Sequence, residues 1–373
     1  MLSRFAIAVL LAATTSVVGY TQNQDSDVVI GTLHDVHDSY SIKACASDGQ
    51  TLLMGRFALE QNSGQSSWNP QHSHWSMLGV SRDGSTITYQ LPEGLKPQSA
   101  AYDGSDLVVL TLDFQPQSYR PPDPPPARRF HMLRFDNQAN LLHQQLANID
   151  FMPMQMVVLP SGKAIVEGTY RPAGEDEVKR VAAVVDTDGK MLKRIEFPLP
   201  PQGGGWTIQS GMAAGDGAAY LVLFSYDPPA TGIAKISEDG SFDVKIIPNP
   251  PYNDERHHNA WMVGPGVAVE VYDYADKRER STFHFDEYDL TSGQVTAYRY
   301  AFVSGGAFGC YLKNEVSMLT RSANVDLARG LSPDESHLIF SKLQNQAVSE
   351  PVVNPNAPPC APTADPHALQ AVH

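Results

Sequence analysis

The sequence predicts an all-β chain folded as a six-bladed β-propeller of four-stranded antiparallel blades. Three observations predict it. An apolar strand, a tight polar turn and a second apolar strand recur at a nearly constant interval. Asp83, Asp136, Asp188, Asp239 and Ser292 mark equivalent turns, and the steps between them are 53, 52, 51 and 53 residues. A period of about fifty in strand-turn-strand units is the mark of stacked blades. A second set of turns interleaves with the first, so each repeat holds two hairpins and four strands. Composition agrees: 28 Gly and 28 Pro among 373 residues suit many short strands joined by turns.

The elements follow in order. Residues 1–20 read as an export signal, with Arg4 as the positive n-region and Phe5–Val18 as the apolar h-region. That stretch is shorter than the ~20 apolar residues of a spanning helix. The expected location is therefore secreted or periplasmic, with no membrane insertion after signal cleavage. Residues 21–40 form an N-terminal segment in which Asp27–Leu33 (DVVIGTL) reads as a strand without an assigned blade. It either edges the last blade and closes the ring, or belongs to a seventh blade, the alternative count.

The propeller is expected over 41–344. Its inner hairpins turn at Asp48-Gly49, Asp103-Gly104, Ser161-Gly162, Asp216-Gly217, Pro265-Gly266 and Lys313-Asn314. Its outer hairpins turn at Asp83-Gly84, Asp136-Asn137, Asp188-Gly189, Asp239-Gly240 and Ser292-Gly293, with Ser332-Pro333-Asp334-Glu335 as a sixth. Gly or Asn at such turns supplies the positive φ of short hairpins. Residues 345–373 are Pro-rich and aperiodic, the composition of a disordered tail.

The outer hairpins, such as Val184-Val185-Asp186-Thr187-Asp188-Gly189-Lys190-Met191-Leu192, carry a resemblance. The chain resembles the broad superfamily of NHL-like and quinoprotein-like β-propellers over most of its length. Tyr288-Asp289-Leu290-Thr291-Ser292-Gly293-Gln294-Val295 looks like one quinoprotein-type repeat, but Ala297-Tyr298 stands where its Trp is expected. The resemblance implies the fold and no quinone; no cofactor is expected.

Charge narrows the partners. A formal charge of −14 repels phosphate backbones, so no nucleic-acid partner is expected. In a propeller the tight turns lie on one face and the longer connections on the other, around the channel mouth. Function concentrates on long loops held by a rigid scaffold. That face collects Trp68, Trp75, Trp206 and Trp261. It also collects Tyr119-Arg120, Tyr170-Arg171, Tyr226-Asp227, His257-His258 and Tyr272. Aromatic rings beside Arg and Asp suit a glycan, peptide or protein ligand, by stacking and directional hydrogen bonds. The competing reading is that these rings wedge between blades.

The expected function is therefore a binding or interaction module, most simply a monomer. The alternative is a hydrolase or lyase with its site at the channel mouth. No nucleophile elbow, His-Glu-x-x-His or phosphate loop appears, and the adjacent histidines do not make a metal set, so no metal is expected. Cys45 and Cys310 occupy the same position of the innermost strand in the first and last repeats. They are expected to face each other across the ring closure, as a disulfide or as two buried thiols. Cys360 is the odd one.

Overall fold

Short β-branched and aliphatic runs, cut by Asp, Asn and Gly, become strands; the second and third of each repeat bury both faces between neighbouring blades, and the outermost are largely exposed. The structure is a computed structural model. It describes residues 27–34, 38–45, 51–59, 73–113, 129–172, 178–201, 203–207, 212–226, 229–247, 256–274, 282–301, 306–312, 315–321 and 335–342. The export signal and the Pro-rich tail lie outside the described residues.

The chain opens with β1 (Asp27–His34). Blade 1 follows as β2 (Asp38–Cys45), β3 (Thr51–Leu59), β4 (Ser73–Ser81) and β5 (Thr86–Gln90). Blade 2 is β6 (Leu95–Asp103), β7 (Asp106–Asp113), β8 (Phe130–Phe135) and β9 (Leu141–Ala147). Blade 3 is β10 (Met152–Val158), β11 (Ala164–Tyr170), β12 (Lys179–Val185) and β13 (Met191–Glu196). Blade 4 is β14 (Met212–Gly215), β15 (Ala218–Tyr226), β16 (Pro229–Ser237) and β17 (Phe242–Ile247). Blade 5 is β18 (Arg256–Gly264), β19 (Val267–Tyr274), β20 (Thr282–Asp289) and β21 (Val295–Ala301). Last come β22 (Gly306–Leu312), β23 (Glu315–Arg321) and β24 (Glu335–Lys342).

The expected architecture of six blades, each one continuous repeat, is corrected here: five blades are built that way, not six. A further four-stranded sheet, the seam sheet, takes β22, β23 and β24 from the end of the chain and β1 from its start. Ser332–Glu335 is therefore not an outer hairpin, because β24 lies between β23 and β1. Nor does β1 begin a seventh blade. An unpaired β24 edge would expose a row of backbone donors and acceptors, and β1 covers it. The innermost strands β2, β6, β10, β14, β18 and β22 each lie against the next, and β22 lies against β2, which closes the ring.

The outer turns repeat one hydrogen-bond pattern. Asp83 Oδ1 accepts from the backbone and hydroxyl of Ser85, and Asp239 Oδ1 does the same from Ser241. Asp136 accepts from the backbone of Gln138 and Asn140, and Asp289 from that of Thr291 and Ser292. Bonds donated to a carboxylate favour its ionised form. Asp83 and Asp239 are held below the ordinary carboxylate range, first by the serine hydroxyl, and Asp289 first by the Ser292 backbone. Gly189 shows why glycine is needed here: φ is +72°, and a Cβ would stand 2.8 Å from the Leu146 carbonyl oxygen of blade 2.

Apolar layers fill the space between blades. Leu53, Met77, Tyr89, Ala100, Leu107 and Leu133 pack blade 1 on blade 2. Leu110, Met132, Val166, Val181 and Ala183 pack blade 2 on blade 3. Leu107, Leu110, Leu133 and Val166 are fully sealed. At about 1.5–3 kcal/mol for each fully buried side chain, these layers make the ring rigid.

Candidate functional site

All hairpin turns within the blades lie at one end of the strands. The second-to-third strand connections and the blade-to-blade connections leave at the other, so that end is the long-connection face. Near the long-connection end of each blade stands a cross-strand pair between the second and third strands. It is Phe57–Trp75 in blade 1, Thr111–His131 in blade 2, Thr169–Arg180 in blade 3, Leu223–Gly232 in blade 4 and Tyr272–His284 in blade 5. The pairs of blades 1 and 3 lie on the side toward the following blade, and those of blades 2, 4 and 5 on the side toward the preceding one. The third strands thus bring Trp75, His131, Arg180 and His284 close beneath this face. Sequence reasoning picked out only Trp75 of these.

Each member is tied down differently. His131 Nε2 lies 2.7 Å from Asp113 Oδ1, and Thr111 Oγ1 donates to the His131 carbonyl. Arg180 donates from Nε to Glu167 Oε1 at 2.7 Å and from an NH to the Thr207 carbonyl at 2.7 Å. His284 stacks on Tyr272 with centroids 5.2 Å apart, and Tyr272 Oη donates to Asp286 at 3.2 Å. In blade 4 the position is Gly232. A Cβ there would come within 3.5 Å of the Trp206 indole, which lies over it.

Trp206 and Trp261 are packing residues in this structure. Trp206 is 8% exposed, sits among Ile195, Phe197 and Leu223, and donates Nε1–H to the Pro198 carbonyl at 2.6 Å. Trp261 is 2% exposed, 5.8 Å from the Tyr288 ring, in the layer between blades 4 and 5. Tyr272 is 6% exposed. Tyr170 is half-buried beneath the Arg194 guanidinium, 4.3 Å from its centroid, and Arg194 also pairs with Asp150 and Glu196. Arg171 is exposed beside it. Trp68, Tyr119, Arg120 and Asp227 lie outside the described residues, as do the side chains of Tyr226, His257, His258 and Cys310. Among the described residues no three His, Cys, Asp or Glu side chains converge as metal ligands would.

The cleft between blades 1 and 2 holds what sequence reasoning missed. The β2–β3 register pairs Ile42 with Met54 and Ala44 with Leu53, so Lys43 is an extra, bulged residue. β6 breaks register in the same way at Gln98, β10 at Met154 and β18 at Asn259. Bulges add twist and re-aim a side chain. Lys43 lies across Gly55: a Cβ there would stand 3.0 Å from Lys43 Cε and 3.2 Å from Pro97 Cγ of blade 2. Lys96, also of blade 2, sets its ammonium 5.3 Å from the centre of the Trp75 ring, which packs 4.6 Å from Phe57. Burial, and then the Lys96 charge, push the Lys43 amine below the ordinary lysine range. Nothing in a linear sequence marks a bulge, because it exists only in the pairing of two strands.

Cys45, at the tight-turn end of β2, is disulfide-bonded. β2 packs directly against β22, the strand that carries Cys310.

No protein-family model matches the chain. No curated protein matches it by sequence. Among solved structures it is similar to the haemagglutinin-neuraminidase of parainfluenza virus 5, at 8% identity and TM-score 0.49 over 85% of this chain and 92% of that one. It is similar to a subtype N10 neuraminidase-like protein of A/little yellow-shouldered bat/Guatemala/060/2010, at 8% identity and TM-score 0.45 over 85% of this chain and 99% of that one. It is also similar to the acylaminoacyl peptidase of Pyrococcus horikoshii, at 12% identity and TM-score 0.42 over 77% of this chain. The chain spans 49% of that peptidase and 38% of a prolyl endopeptidase. At these scores the likenesses carry no functional argument; the propeller rests on the sheets themselves.

Proposed function

We propose that this propeller is a binding module that holds its ligand on the long-connection face. One observation carries the reading. The buried Trp75 Nε1, Ser225 Oγ and Thr231 Oγ1 have no hydrogen-bond partner among the described residues, and all three stand at strand ends on that face. Native proteins seldom leave buried polar atoms unpaired, because each costs about 1–3 kcal/mol. Donors and acceptors held ready under a face are what a ligand uses.

A hydrolase or lyase needs a reachable acid or base. Glu167, a carboxyl that burial pushes above the ordinary range, is 0% exposed and occupied by Arg180. It stabilises the blade and is closed to a substrate. The partly exposed Asp113–His131 pair is the acid–base couple nearer the surface.

Glycan and peptide arrays test the reading. The wild type is expected to retain a ligand, and Trp75→Ala and Arg171→Glu to weaken it by about tenfold or more, a loss of ~1.4 kcal/mol. Glu238→Lys, on the opposite face, is expected to leave retention unchanged. Retention that survives the first two substitutions and is lost with the third would put the ligand on the tight-turn face.

A further inference from the structure

We propose that the cleft between blades 1 and 2 binds a single carboxylate group of the ligand, held between the Lys43 and Lys96 ammonium groups beside the Trp75 indole. The inference rests on the binding-face reading above and names the chemistry of its ligand.

The geometry is built rather than incidental. A bulge in β2 brings Lys43 out of the strand alternation. Gly55 leaves the groove along which its stem runs, since any Cβ there would press on Lys43 Cε and Pro97 Cγ. Lys96 arrives from the other blade and is fixed over the Trp75 ring. Two ammonium groups from neighbouring blades therefore share one cleft and feel each other's charge. Neither forms an ion pair among the described residues. Asp113, the carboxylate paired across from Leu95 on β7, is already bound to His131.

Burying an ammonium beside a second one is unfavourable unless an anion joins them. Lysines make short, charge-assisted hydrogen bonds to carboxylates. Trp75 supplies an independent pointer, because its buried Nε1–H lacks an acceptor among the described residues. A carboxylate oxygen satisfies that donor while its charge answers both lysines. The Phe57 and Trp75 rings form an apolar wall for the rest of the ligand. The net charge of −14 opposes a polyanion, so the cleft favours a ligand that presents one acidic group.

Two sources offer that group: an acidic sugar and an acidic peptide side chain. Calorimetric titration of the full chain distinguishes them. The probes are glucuronate against glucose, N-acetylglutamate against N-acetylglutamine, and inorganic phosphate. At least one carboxylate is expected to bind about tenfold or more tighter than its neutral counterpart, with Lys43→Met and Lys96→Met each removing most of that preference. Thermal unfolding checks that the variants fold, and Lys43→Gln replaces the methionine variant if that one does not. Equal binding of acid and amide, indifference to both lysine substitutions, or binding of phosphate alone would overturn the proposal. An array ligand that depends on Trp75 and Arg171 but not on the lysines would overturn the carboxylate while the binding face stands. An array ligand that ignores all four residues would overturn both.

Discussion

Arg180 donates from Nε to Glu167 Oε1 at 2.7 Å, and neither side chain has any solvent exposure. The same guanidinium donates to the Thr207 carbonyl, and Thr207 in turn bonds through its backbone and hydroxyl to the Phe224 carbonyl of blade 4. This chain of bonds ties blade 3 to the connection that carries Trp206. Removing one partner of a sealed ion pair leaves the other charge unpaired, which typically costs about 3–5 kcal/mol. Arg180→Ala is expected to lose about that much in urea unfolding, and the double variant Glu167→Leu/Arg180→Met much less. If the single change cost less than about 1 kcal/mol, the pair would not matter to the fold.

Burial holds the Glu167 carboxyl above its ordinary range, against the pull of Arg180. A raised folded pKa means that the folded state binds the proton more tightly. Its contribution is therefore fully present below the unfolded pKa and declines as pH rises through the folded one. The stability of the wild type minus that of Glu167→Gln is expected to fall with rising pH across that interval. A flat or rising difference would contradict the direction.

Lys43 has the opposite sign. Its folded pKa is lowered, chiefly by burial. The folded state therefore pays a penalty for the charged amine that is present at neutral pH and disappears above the ordinary lysine range. Lys43→Met is expected to raise the melting temperature at pH 7, and the gain should shrink toward pH 11. A loss of stability at pH 7 would mean that an anion already neutralises the cleft.

Ala139 takes φ +66° in the blade 2 outer turn, where Gly189 stands in blade 3. Both donate their backbone N–H to the carbonyl of the turn's leading Asp, at 3.1 Å. A left-handed alanine is strained by about 1–2 kcal/mol, of which glycine's extra unfolded-state freedom returns part. Ala139→Gly is expected to stabilise by roughly 0.5–1 kcal/mol in chemical unfolding. Gly189→Ala is expected to destabilise more than that, since its Cβ also meets the Leu146 oxygen.

The bond at Cys45 reaches another cysteine, and the adjacency of β2 and β22 points to Cys310. Peptide mapping without reduction is expected to recover the two segments joined. Cys45→Ser is expected to lower stability by up to about 5–6 kcal/mol in the chain-entropy model. A bond to Cys360 would contradict the pairing.

Much of this fold is legible in one dimension because turn chemistry is local. Asp136, Asp239 and Asp289 bond to backbone atoms within a few residues, so the outer turns announce themselves. Ser332-Pro333-Asp334-Glu335 has the same composition, yet β24 continues to β1 at the far end of the chain. Composition cannot separate a hairpin from a connection when the partner strand lies some three hundred residues away. The tryptophans show the same limit. Trp206 follows three glycines in a polar stretch, and only the packing of Phe197 and Gly232 around it reveals a buried ring.

The sequence by itself determined the repeat, its phase and the sorting of tight turns to one face. These depend on strand period and on side chains bonding their own backbone. The tertiary structure decided how the ring closes, which aromatics are sealed, and where Lys43 points. Each of those depends on which strand pairs with which and in what register, and that information lies between segments rather than within them.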